Sequence, residues 1–188
     1  LEHMLDNDWF ESDVIRIGAE QEMVMVDKTT FKPSLVAMEA LDKMEHYPWV
    51  ETELAKFNLE TNIEPRVFEK DCFTLLENEN SDKLNKMQEV LDTMDTSIVL
   101  TGILPTLRKY HLEMENLTPK KRYFALMEAL DKQLIGQSYE LRILGIDELL
   151  VKHSSPLLEA SNTSFQVHLQ VAPKDFVKAP PARTFPSG

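Results

Sequence analysis

The chain is poor in the residues that would place it in several common classes. Its one cysteine, Cys72, excludes an internal disulfide and fits a reducing compartment, so the cytoplasm is the expected setting. With 5 glycines in 188 residues it has neither a Walker-type loop nor a G-x-G-x-x-G turn, which removes the usual phosphate cradles. No apolar run approaches the ~20 residues of a membrane span, and the N-terminus lacks the basic-then-apolar layout of a secretory signal. Basic charge is also short: 20 Lys and Arg against 32 Asp and Glu give a net −12, which argues against nucleic acid or an anionic membrane as partner. There is no HExxH and no Cys/His pair with zinc-ligand spacing. Hydrophobic content of 43% and charged content of 28% are those of an ordinary globular protein with a real core.

What is present is alternation. Three separated segments read as β-strands with acidic, amide or imidazole side chains along one face. Val14–Val26 places Arg16, Gly18, Glu20 and Glu22 opposite Ile15, Ile17, Ala19, Gln21, Met23 and Met25. Phe57–Glu64 sets Asn58, Glu60, Asn62 and Glu64 against Phe57, Leu59, Thr61 and Ile63. Thr163–Val171 sets Ser164, Gln166, His168 and Gln170 against Phe165, Val167, Leu169 and Val171. Residues two apart point the same way from a strand, so side by side these segments would form one wall of oxygen and imidazole ligands, which suits divalent cations.

Between the strands the period changes to 3.6. Pro33 is expected to open a helix carrying Leu35, Met38, Leu41 and Met44, with Pro48 ending it. Pro65 is expected to stop the second strand. Asp71 can cap a longer helix with Leu75, Leu76, Leu84, Met87, Leu91 and Met94 as its stripe. Ser97–Leu104 reads as a buried strand, Thr118-Pro119 as a helix start running to Gly136, Tyr139–Ile143 as a strand and Asp147–Lys152 as a short helix. The fold class is therefore α+β: a mainly antiparallel sheet with helices on one face and the polar face open. The domain spans residues 5–178. Leu1–Met4 reads as a cloning remnant, and 179–188, with three prolines, as an irregular tail.

Glu20 and Glu22 lie one strand period apart, roughly 7 Å, a separation that lets them share a bimetallic site or hold neighbouring ions. Glu60 lies mid-strand, and Glu53, seven residues before it, is a further candidate ligand. His168 is flanked on its face by Gln166 and Gln170. Glu20 and Glu22 have a plain alternative as an exposed strand face, and His168 one as a structural hydrogen-bonding residue. His3, His46, His111 and His153 lack such a setting and are expected at the surface. Magnesium takes carboxylates and water, with phosphate oxygens completing its shell, so this set fits a cluster finished by a nucleotide triphosphate. Cys72 reads as a buried helix residue.

The segments IGAEQE, ELAKFNLETN, VLTGILPTLRK, YELRILGIDEL and LEASNTSFQVHLQV resemble, in order, the type 2 glutamate–cysteine ligase (carboxylate–amine ligase) family, over about Ile15–Val177. The resemblance implies a glutamine-synthetase-like fold, of which this chain would be an N-terminal, incomplete part prone to self-association. It implies an ATP-dependent ligase joining the γ-carboxyl of glutamate to an amine such as that of cysteine, through an acyl phosphate, as in glutathione biosynthesis. The implied cofactor is Mg²⁺ (or Mn²⁺), with ATP as co-substrate. By the same resemblance Glu20 and Glu22 match first-strand metal ligands, Glu60 a central-strand one and His168 a late-strand polar position, while Gln166 would face nucleotide or metal. Arg108 and Arg142 could balance phosphate or substrate charge, or be ion-paired surface residues. Two other readings share the carboxylates: a non-catalytic fragment or pseudoenzyme that binds metal or a protein partner, and a metal-dependent hydrolase.

Overall fold

The period-2 segments come together as expected. In the computed structural model, which describes residues 1–134, 139–153, 155, 157–176 and 183–186, β1 (Arg16–Asp27) is the longest strand and the centre of the sheet. On one edge it pairs antiparallel with β3 (Asn58–Val67), which in turn pairs with β2 (Val50–Thr52). Its other edge is shared: β7 (Ser164–Gln170) pairs with Arg16–Gln21, and β4 (Thr96–Val99) with Val24–Asp27. The last strand, β8 (Arg183–Pro186), lies outside β7. The sheet is thus antiparallel throughout, in the order β2-β3-β1-β7-β8 with β4 beside β1.

Each face of β1 has its own fate. The odd-numbered face is buried, Met23 and Met25 completely, against two helices. The helix α2 (Ala37–Lys43) brings Ala37 and Ala40, and α3 (Cys72–Asp92) brings Met87 and Leu91 to the same cluster. The first turns of α3 place Cys72 and Leu76 on Ile17, Ala19 and Ile63. At roughly 1.5–3 kcal/mol per large side chain removed from water, this layer is the main anchor of the sheet. The even face is split. Val24 and Val26 lie under a second cluster with Phe57, Leu104, Leu117, Tyr123 and Met127, the last two from α4 (Lys121–Leu134). Glu20 and Glu22, further back along the strand, remain half-exposed. The polar face is therefore open only over the first half of β1.

Several expectations need correction. Pro65 does not stop β3: the strand runs to Val67 through a bulge in which Glu64 and Pro65 oppose Gly18, a place where a residue without an N–H costs no ladder bond. Pro33 does not open α2; it bridges Val26, and the helix begins four residues later at Ala37. Of 97–104 only the start is a strand, and it is half-buried. Residues 147–152 are not a helix but β6 (Glu148–His153), forming a separate hairpin with β5 (Tyr139–Leu144). Glu2–Asp6 form a short helix, α1, with no buried residue. The tail is not wholly irregular, because it contains β8; the rest of 177–188 and the expected helix end at Gly136 lie outside the described residues. Leu157–Ala160 form a one-turn helix, α5. His111 and His153 are buried, each accepting a backbone N–H at Nδ1, from Arg108 (2.9 Å) and Ser155 (3.0 Å).

Candidate metal centre

Strand register builds the site. Glu22 lies directly opposite Glu60, and Glu20 opposite Asn62. Directly opposed residues of an antiparallel pair have Cβ atoms about 4.5–5.5 Å apart, so the first two carboxylates are forced together. Glu53 comes from the connection between β2 and β3. Thr118, just before α4, fixes it there: Oγ1 donates to the Glu53 carbonyl at 2.6 Å, and its N–H to that of Leu54 at 2.8 Å. One carboxylate oxygen from each of Glu22, Glu53 and Glu60 lies within 4.8 Å of the others, and all three residues are half-buried.

Electrostatics show what this proximity costs. The Glu60 carboxyl is pushed up to about 8, first by burial and then by the charges of Glu53 and Glu20, a hydrogen bond to Glu53, and the charge of Glu22. Glu53 is also raised, by burial and by Glu22, while its hydrogen bond with Glu60 acts in the opposite direction. Near neutral pH a proton on Glu60, donated toward Glu53, holds the cluster together. Three half-buried carboxylates sharing a proton are a donor set that fits a divalent cation such as Mg²⁺ or Mn²⁺, which takes oxygen ligands and would replace that proton.

The other expected residues surround this trio. Gln166 is turned to Glu22, donating from Nε2 to Oε1 at 2.6 Å. Ser164 supplies its N–H (2.8 Å) and Oγ (3.2 Å) to Oε2 of the same carboxylate. Both Glu22 oxygens are thus oriented from β7. Glu20 and His168 stand apart from the trio as a pair, Nε2 to Oε1 at 3.2 Å. With Arg16, Asn62, Glu64, Pro65 and Gln170 they line an open cavity of about 380 Å³, which none of Glu22, Glu53 and Glu60 lines. Arg16 is engaged by Glu11 through two bonds of 2.8 and 2.9 Å. A Cβ on Gly18 would make ordinary contact with Pro65 at 3.6 Å, so this glycine is not needed to clear space.

The two arginines singled out from sequence are structural. Arg142 pairs with Glu148 across the β5–β6 hairpin at 2.7 Å, and Arg108 donates to the carbonyls of Pro105 and Leu107. The cation that does approach the cluster is Arg122, 3.6 Å from Glu51, which is itself register-paired with Glu60. Its only sequence signal is the run Lys120-Lys121-Arg122 opening a helix. Ser164 carried no signal beyond its place on the polar face of β7.

The Glutamate-cysteine ligase family 2 profile matches residues 16–177, and the chain belongs to that family. Membership supports a ligase activity of the glutamate–cysteine or carboxylate–amine kind, acting on small molecules. No curated protein matched the chain. Among the described residues no helix is long and apolar enough to cross a membrane.

Proposed function

We propose that this member of the family holds Mg²⁺ or Mn²⁺ at Glu22, Glu53 and Glu60 and uses ATP to join the γ-carboxyl of glutamate to an amine such as that of cysteine, by way of an acyl phosphate, in the cytoplasm. The observation carrying this reading is the convergence of those three carboxylates, whose burial and mutual charge push the Glu60 carboxyl up to about 8. A divalent cation bound there would offset the negative charge of phosphoryl oxygens as it shifts during transfer. Gln166 and Ser164 hold Glu22 in one orientation, the outer support that ligating carboxylates usually need. Glu60 gives up its proton as the cation enters. A small polar substrate would lie in the open cavity lined by Glu20 and His168, within reach of the His168 ring.

The test is phosphate release from Mg-ATP by the full chain with glutamate, cysteine, both or neither. Release that requires both supports the reading. Release needing no acceptor amine points to hydrolysis, and metal binding without any turnover points to a non-catalytic role.

A further inference from the structure

The β5–β6 hairpin is separate from the main sheet, and its two faces differ in kind. The register pairs even-numbered residues with even and odd with odd, so each set shares a face. On the even face Arg142 pairs with Glu148 at 2.7 Å and Lys152 with Glu140 at 2.8 Å. On the odd face Leu141 lies opposite Val151 and Ile143 opposite Leu149, and the latter two are about half-exposed, at 49% and 51%. None of these four apolar residues belongs to a core cluster of the described residues. Both outer edges of the hairpin pair with no further strand among them. A lone two-stranded hairpin is marginal in water and gains stability from further strands or a cover. An unpaired edge is also a template for another strand.

The core of β6, Glu148-Leu149-Leu150-Val151-Lys152, is complementary to itself when reversed. Laid antiparallel on a second β6 about a two-fold axis at Leu150, Glu148 faces Lys152 of the other copy and Leu149 faces Val151, each meeting occurring twice. Acid then meets base on the even face, and apolar meets apolar on the odd face. The row Ile143–Leu149 continues into Val151–Leu141 of the second copy, so two four-residue apolar patches become one of eight. Charge favours the same place. The chain carries a net −12, but β5 and β6 together hold two acids and two bases, so copies approach here with little mutual repulsion. We infer, independently of the metal reading, that the β6 edge is a docking surface for a second copy of this chain, joining two hairpins into one four-stranded antiparallel sheet.

Sedimentation equilibrium of the full chain over a range of concentrations reads the stoichiometry, and E148K and K152E test the contact. Wild type is expected to shift from one chain toward two as concentration rises. Each single variant sets like charges opposite each other twice across the axis and should dimerise at least about 10-fold more weakly. The exposed intrachain ion pair lost in each contributes little to the hairpin itself. Mixed together, E148K and K152E regain both unlike pairs and should associate as wild type does. A chain that has merely lost its hairpin would not be rescued by a second damaged one. Leu150→Cys should form a disulfide between copies under mild oxidation, because directly opposed residues lie about 4.5–5.5 Å apart at Cα, within disulfide range. The native Cys72 is buried and does not compete. Wild type that stays a single chain at every concentration overturns the inference. So does association that neither charge reversal weakens, or a mixture that fails to recover. A ready disulfide in Leu141→Cys but not in Leu150→Cys moves the contact to β5 and overturns the β6 assignment.

Discussion

Glu60 concentrates the chemistry of the site in one titration. In the folded chain its carboxyl holds a proton to about pH 8, whereas its ordinary value is 4.5. Between those values the folded state binds more protons than the unfolded state. Its contribution to stability is therefore full below about 4.5 and is lost as pH rises through 8. After discounting for solvent contact the loss should be roughly 1–3 kcal/mol. Glu60→Gln cannot titrate, so metal-free E60Q should be more stable than wild type at pH 9 by about that amount, with little difference near pH 5. Urea denaturation of both proteins at the two pH values checks this, and equal slopes with pH would refute the shared proton. Gln166 acts through Glu22. Gln166→Ala should leave the fold intact and weaken Mn²⁺ binding about 10-fold, in the range seen when outer-shell partners of metal ligands are removed. Metal titration monitored by water-proton relaxation reads it directly.

At the scale of elements, the position of Glu60 depends on how β3 is clamped to α3. Glu79 accepts the Glu64 N–H at the bulge (3.1 Å) and pairs with Arg66 and, at 2.5 Å, with Lys83. Lys83, itself nearly buried, donates to the Asn62 carbonyl at 2.6 Å. Glu79→Ala would strand two cations against the sheet and should cost about 3–5 kcal/mol. Lys83→Met should cost less, since Glu79 keeps Arg66 and the methionine fills the stem's space against Trp49. Chemical denaturation of the two variants checks that order.

The same elements explain what could be read in advance. β1 and β3 were legible because one face of each is apolar and buried over most of its length, so the period of two is enforced; β7 shows the same alternation although its Phe165 and Val167 are only half-buried and Leu169 is exposed. The extension of β3 past Pro65 was not, because a bulge depends on the partner strand. β6 escaped because Leu149, Leu150 and Val151 break alternation, and a hairpin with both faces largely exposed imposes none. Glu20, Glu22, Glu53, Glu60 and His168 were all legible as candidates. Their division into a trio and a Glu20–His168 pair was not, since it follows from which strands are neighbours and in what register. Arg122 was invisible for a similar reason: it reaches the site only through the tertiary tie of Tyr123 to Thr52.

For the whole molecule, the site is a point where the central strand, the β2–β3 connection and β7 meet, and where metal-free folding leaves unrelieved repulsion. A cation binding only the folded state should therefore stabilise the entire fold, by about 2.7 kcal/mol at a hundred times its dissociation constant. A rise in the thermal midpoint with Mg²⁺ or Mn²⁺, absent in E60Q, is the expected sign. The most direct measurement is calorimetric titration of Mn²⁺ into wild type at pH 7 in two buffers of different ionisation enthalpy. The account predicts one site that releases about one proton per ion, the proton of Glu60, and that is lost in Glu53→Gln and Glu60→Gln. Binding with no proton release, or with undiminished affinity in both variants, would contradict it.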